Sequence, residues 1–266
     1  MPAPTLDVVA VAPAERGHHI GDINTPIIDP AELIAGLGTY PTLTFPIRRG
    51  RPVDVTAVRD FLGAPAEFFG IDLPGAEEFE HVVTAFVAAA FARSPASLVA
   101  ATITVVGARV VLTGVPGAVF SDIPVRVGHL AHRYRPTNAG DAHWLRMAAR
   151  TVSRADADQQ LRDLWEQGCV DGIPAGPVIT APLAGALVLQ TAVGPVGVDT
   201  GEPVSILDQL RDCAVLAELP RRAAVPAPET RRAWWIAPQF VTHPIALLGE
   251  QALPVDPKPP SFLEQL

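Results

Sequence analysis

Proline and glycine set the scale of this chain. With 28 prolines and 21 glycines among 266 residues, few windows lack a residue that interrupts a helix or a strand ladder. Regular elements are therefore expected to be short and joined by tight turns. Hydrophobic residues make up 48% and charged residues 18%, with a mean hydropathy of +0.26. A chain of this kind collapses around a sizeable core rather than staying disordered. No uncharged run approaches the ~18 apolar residues of a membrane-spanning helix. The start, Met1-Pro2-Ala3-Pro4-Thr5-Leu6-Asp7, has no basic segment ahead of an apolar one. Cys169 and Cys213 are too few for a disulfide framework and lack zinc-like spacing. A cytoplasmic location is the expectation. The net charge of −8 offers no footprint for nucleic acid or an acidic membrane.

The apolar pattern reads as an α/β (α+β) chain in two lobes. Thr42 to Ile47 is a strand candidate, followed by a turn at Arg48-Arg49-Gly50-Arg51. Between Gly75 and Pro95, Phe79, Val82, Val83, Phe86, Val87, Ala90 and Phe91 recur at helical spacing. Leu98 to Val106 and Arg109 to Leu112 are β-branched runs around Gly107-Ala108, the pattern of a hairpin. Val115 to Pro124 reads as a connector, dividing the chain into lobes 1–119 and 120–266. In the second lobe Val125-Arg126-Val127 opens a strand, and a helix from Ala155 to Gln167 stops at Gly168. Val178 to Thr180 and Ala186 to Leu189 are strand candidates. Ser205 with Asp208 forms a capping box for a helix over about 206–216. From about residue 254 the tail is proline-rich.

Several of these segments occur in an order that resembles the fold-type IV pyridoxal-phosphate enzymes: the class IV aminotransferases and aminodeoxychorismate lyase. Gly38-Thr39-Tyr40-Pro41-Thr42-Leu43-Thr44 is similar to the family's G-x-F-E-T-x-R strand. Val55-Thr56-Ala57-Val58-Arg59 is similar to its H-x-x-R helix start, and Glu67 to Pro74 follows at the family's spacing. Arg232 to Pro238 and Thr242-His243-Pro244-Ile245 resemble its ending. The resemblance covers roughly residues 20–252. It implies the D-amino-acid-aminotransferase-like fold, with two α/β lobes, the site between them and a homodimer.

The same resemblance marks what is missing. The only lysine is Lys258, in the tail; every other basic residue is arginine. The family's imine lysine corresponds to Arg150 in Arg150-Thr151-Val152-Ser153-Arg154, ahead of a helix with Gly168 and Asp171 at matching distances. A guanidinium stays protonated and cannot form the imine. The glutamate that keeps the pyridinium nitrogen protonated corresponds to Ala181, after Val178-Ile179-Thr180. Of the phosphate ligands, a hydroxyl survives at Ser205 and an arginine at Arg59, while the threonine near Ile236-Ala237-Pro238 is gone. Pyridoxal phosphate is therefore disfavoured, and no cofactor is expected.

Three functions fit these residues. The first is a cofactor-independent enzyme of lyase, isomerase, cyclase or hydrolase type, acting on a small anionic carboxylate. Its catalytic candidates are Arg150, His143 and Tyr134; Arg59, Thr151, Thr180, Ser205, Arg133, Arg135 and His243 are candidates for substrate binding. Arginines suit a carboxylate or phosphate, and a histidine suits proton transfer. The second is a non-catalytic small-molecule-binding or structural homologue. The third is residual, non-covalent binding of pyridoxal phosphate. No metal-spaced cluster is present.

Overall fold

The computed structural model describes residues 8–12, 19–21, 39–106, 109–131, 142–152, 155–199 and 204–263. It divides into two compact units. The first comprises 1–117 with 140–154, the second 118–139 with 155–266. Each is built on its own sheet.

In the first unit, five strands lie in the order β2-β1-β5-β4-β3 with antiparallel pairing throughout. They are β1 (Val8–Ala12), β2 (His19–Gly21), β3 (Thr42–Arg48), β4 (Leu98–Val106) and β5 (Arg109–Gly117). Helices α1 (Val55–Phe69) and α2 (Ala76–Arg93) join β3 to β4. Phe79, Val82, Val83, Phe86 and Ala90 of α2 are buried, which is most of the stripe seen in the sequence. Each large side chain removed from water stabilises by roughly 1.5–3 kcal/mol. Gly114 of β5 leaves room for this face, because a Cβ there would stand 3.0 Å from both Phe86 and Val99.

Pro46 in β3 sits where no ladder bond is lost. The Thr42 N–H points away from β4, to the Arg150 carbonyl. Alternation therefore puts the Pro46 nitrogen on the same outer side of the edge strand β3, where a missing N–H is tolerated. Pro116 extends β5 beyond its expected end at Leu112. It pairs with Val99 of β4. The start of the expected connector is thus strand.

The second unit holds β6 (Val125–His129), β7 (Asp171–Ile173), β9 (Ala186–Thr191), β10 (Gly194–Val198), β12 (Arg232–Ile236) and β13 (Thr242–Leu248) in the order β10-β9-β12-β13-β6-β7. Strand β14 (Gln251–Ala252) is added to β13. The pairs β13/β6 and β6/β7 are parallel and the others antiparallel. A separate ribbon pairs β8 (Val178–Thr180) with β11 (Ala224–Pro226). The core includes Val127, Leu187, Leu189, Val198, Val225, Trp235 and Ile245.

Helix α3 (His143–Ala148) belongs to the first unit; α4 (Ala155–Glu166) and α5 (Ile206–Asp212) belong to the second. Gly168 ends α4 at φ 74°, with the Cys169 N–H bonded to the Leu164 carbonyl at 2.9 Å, the closure expected of a left-handed cap. Helix α5 is shorter than the sequence suggests. Ala214 turns to φ 55°, a conformation an α-helix cannot contain. No helix among the described residues is long and apolar enough to cross a membrane.

Candidate functional site

In the first unit the candidates gather where α3 lies on α1. The His143 ring meets Phe68 edge-on with centroids 5.2 Å apart. The Arg150 guanidinium sits 4.6 Å above the Phe61 ring. Each pair is separated by two helical turns, so the segment 143–150 runs antiparallel to α1 and lays one face on its aromatic stripe. Arg150 is further fixed through its backbone: its N–H donates to Met147 at 3.1 Å and its carbonyl accepts from Thr42 at 2.9 Å. At this position the side chain offers a cation stacked on an arene and no nucleophile.

His143 is exposed. Its Nδ1 lies 3.5 Å from Arg146 Nη2, at the limit of a hydrogen bond. Arg59 projects from α1, and its Nη2 donates to the Pro74 carbonyl at 3.3 Å. The buried Nε atoms of Arg59 and Arg146 have no acceptor among the described residues.

Thr151, a substrate-binding candidate, lies inside the unit. It is fully buried, forms a bridge to Pro41, and donates its hydroxyl to the Ala148 carbonyl at 2.7 Å. It locks the end of the α3 segment onto the sheet and presents nothing to a ligand.

Ser205 caps α5, as its spacing to Asp208 suggests. Its hydroxyl accepts from the Asp208 N–H at 3.3 Å, donates to Asp208 Oδ2 at 2.8 Å and accepts from Arg221 Nη1 at 2.9 Å. Arg221 and Asp208 also pair twice, at 2.9 and 3.0 Å, and Arg211 joins Asp208 at 3.0 Å. The Leu207 N–H donates to Asp199 Oδ2 at 3.0 Å. A helix N-terminus attracts anions through free N–H groups. Here the chain's own carboxylates, Asp199 and Asp208, already supply that charge, and α5 has only seven residues.

The second unit holds a polar centre that sequence reasoning did not find. Asp171, fully buried in β7, accepts the N–H groups of Gly172 at 2.7 Å, Leu183 at 3.1 Å, Ala184 at 3.2 Å and Gly185 at 2.7 Å. The Trp235 Nε1–H completes the set at 2.8 Å. Burial pushes the Asp171 pKa up from its usual range, against the opposing pull of these donors. Gly185 is required, because a Cβ would collide with the Trp235 ring and the Ile236 carbonyl. The partners lie up to 64 residues from Asp171, so no local motif announces them; the glycine inside Ala184-Gly185-Ala186 was the available clue.

Trp235 carries this centre to His243, its cross-strand partner, with ring centroids 5.8 Å apart. His243 Nδ1 is 3.2 Å from the Ile123 carbonyl. Burial lowers the His243 pKa below 6.5, and the carbonyl bond partly offsets this. Thr180 is half-buried in β8 opposite Ala224, with Ala181 buried beside it. Arg133, Tyr134 and Arg135 lie outside the described residues. A surface cavity of about 430 Å³ in this unit is lined by Thr191, Val193, Arg222, Glu229 and Arg231 among others, and by none of the candidates. No group of three or more potential metal ligands occurs among the described residues.

Solved structures resemble this arrangement along nearly its whole length. The fold IV-transaminase of Curtobacterium pusillum matches with a TM-score of 0.67 over 94% of each chain, at 17% identity. A hypothetical aminotransferase from Mycobacterium tuberculosis in its apo form matches with 0.67 over 94% of each chain, at 18% identity. The fold is that of the class IV aminotransferases. The branched-chain aminotransferase of the archaeon Thermoproteus uzoniensis, solved with norvaline, shares it with a TM-score of 0.62, covering 94% of this chain and 89% of that one at 13% identity. No family model matches the sequence, and no curated protein does. Identities this low carry the fold and nothing finer.

Proposed function

We propose that this chain is a cofactor-independent enzyme on the class IV aminotransferase fold, acting on a small carboxylate-bearing metabolite by lyase, isomerase, cyclase or hydrolase chemistry. The observation that carries this reading is Arg150 stacked on Phe61, where the resemblance calls for an imine lysine. The M. tuberculosis aminotransferase has been solved in a PLP-bound form, so the fit of that cofactor to this chain matters. The residues present do not fit it. Lys258 is exposed in the tail, Ala181 offers a methyl to a pyridinium nitrogen, and the α5 N-terminus is capped by Asp199 and Ser205. A phosphate there would meet Asp208 as a like charge.

Recognition of an anion is supported by the first unit. Arg59 and Arg146 have no carboxylate partner among the described residues, and a substrate carboxylate would complete both. On this reading His143, beside Arg146, transfers a proton, and Arg150 holds the aromatic wall and adds positive charge. The protein would work as a cytoplasmic homodimer, by analogy with the fold. A second reading, a non-catalytic binding protein, is favoured by the internal commitments of Thr151 and Ser205.

Absorbance tests the cofactor claim. The purified protein is expected to be colourless at roughly 330–420 nm and to stay so after incubation with pyridoxal phosphate. A yellow protein whose colour borohydride fixes to an internal residue would overturn it. Thermal stabilisation by small carboxylates, lost in Arg59→Ala and Arg146→Ala, supports the anion site. A stabilising carboxylate that is never converted selects the binding protein.

A further inference from the structure

We propose that His243 is a preset proton acceptor on the second unit, presenting the lone pair of Nε2 to a ligand O–H or N–H such as the hydroxyl of a hydroxy acid. The residues around it assign each ring atom. Segment 119–123 is zipped along the start of β13. The Thr242 N–H donates to Val119 at 2.9 Å, and the Ser121 N–H donates to Thr242 at 3.0 Å. The His243 side chain makes the next contact, with Nδ1 at 3.2 Å from the Ile123 carbonyl. A carbonyl oxygen only accepts, so Nδ1 carries the proton. In the neutral ring Nε2 is then a bare lone pair.

Among the described residues nothing uses that lone pair. The Trp235 ring lies against the imidazole, but its single N–H already donates to Asp171. Nε2 has no partner among the described residues, and it is absent from their buried unpartnered polar atoms; it therefore meets solvent. Ile123, 51% exposed, marks this position as the rim of the unit. Of the titratable groups around it, Asp171 is screened by the indole, and Asp122 is exposed in the clamping segment. Anchored Nδ1–H, free Nε2 and a rigid aromatic wall are what a general base or a hydrogen-bond acceptor needs. On proton transfer the ligand keeps the bonding electron pair, Nε2 takes the proton, and the Nδ1–H bond to Ile123 persists and stabilises the imidazolium. The catalytic use of this atom rests on the cofactor-free reading; its protonation state does not.

Two measurements on the full-length protein decide it. Side-chain ¹⁵N NMR is expected to show neutral His243 as the Nδ1–H tautomer; the Nε2–H tautomer would overturn the proposal. Diethyl pyrocarbonate, mapped by peptide mass, should label His243. An ordinary imidazole is about three-quarters protonated at pH 6, so its labelling should rise about fourfold between pH 6 and pH 8. The labelling of His243 should rise by clearly less than that. Protection of His243 at both pH values, or a fourfold rise, would refute an accessible neutral base. His243→Asn, whose amide N–H can replace Nδ1–H, should keep the wild-type melting temperature and lose the label. His243→Gln should lose the Ile123 bond and lower it. Equal melting temperatures for both variants would show that Nδ1–H anchors nothing. A yellow, borohydride-fixed protein would remove the cofactor-free reading and leave these results intact.

Discussion

Arg49 and Arg59 in the first unit rest on carbonyls and a ring, whereas Arg211, Arg221, Arg222 and Arg232 in the second reach carboxylates. Arg49 donates to the Phe91 and Ser94 carbonyls at 3.2 and 2.7 Å and covers the Phe91 ring. Arg59 leans on Pro74, and Arg150 on the Phe61 ring. Across the second unit, Arg221 and Arg211 share Asp208, Arg222 faces Glu229, and Arg232 meets Asp256. A carbonyl or a ring orients a guanidinium without cancelling its charge, whereas a carboxylate does both. Arg59 therefore keeps a charge that its described contact does not cancel, while Arg221 is already neutralised by Asp208.

The largest effect is expected inside the second unit, where charge is most enclosed. Asp171→Asn would set an amide against donors on both sides, and should cost about 3 kcal/mol in urea unfolding. Its pH dependence sharpens the point. Because the folded pKa of Asp171 lies above 3.8, the folded protein takes up this proton before the unfolded chain does as pH falls. The contribution of Asp171 to stability should then grow as pH drops through that window, and be smaller above the folded pKa. A comparison of wild type with Asp171→Asn that shows the opposite slope would mean that the five N–H donors outweigh desolvation.

Next comes the capped helix. Ser205→Ala removes the cap and one anchor of Arg221, and should cost about 1 kcal/mol in the same assay. If phosphate stabilised Ser205→Ala or the wild type, the second unit would not be electrostatically closed and the contrast between the units would fail.

Arg150→Ala should lower stability by at least the ~0.5–1 kcal/mol of its cation–π contact, while abolishing turnover of any carboxylate substrate. Arg150→Lys is the sharper probe. It restores an amine at the imine position, yet it should yield no absorbing adduct retained through dialysis, because the α5 N-terminus and Ala181 are unchanged. Smallest of all is Glu229→Gln. Its partner Arg222 is 3.7 Å away, with both side chains about half exposed, and the change should stay within ~0.3 kcal/mol by thermal unfolding.

Much of the fold was legible because its determinants are local. The stripe of α2, the cap of α5 and the glycine that ends α4 are read over a few residues. Misread features depended on distant partners. Pro116 looks like a chain breaker until its pairing with Val99 is known. Ser205 is legible as a cap, but its bond to Arg221, 16 residues away, is not. Asp171 gathers N–H groups from residues 12 to 14 positions on and from Trp235, and spacing alone does not encode that convergence. Arg150 was placed by resemblance, while its seat on Phe61 depends on α3 running antiparallel to α1.

Pro46 has a consequence for how this molecule behaves among its own kind. Its nitrogen occupies the outward row of β3, downstream of Thr42, whose own outward N–H is already spent on the Arg150 carbonyl. A further strand laid along that row would find no donor at Pro46, which works against strand-to-strand association on this side of the sheet.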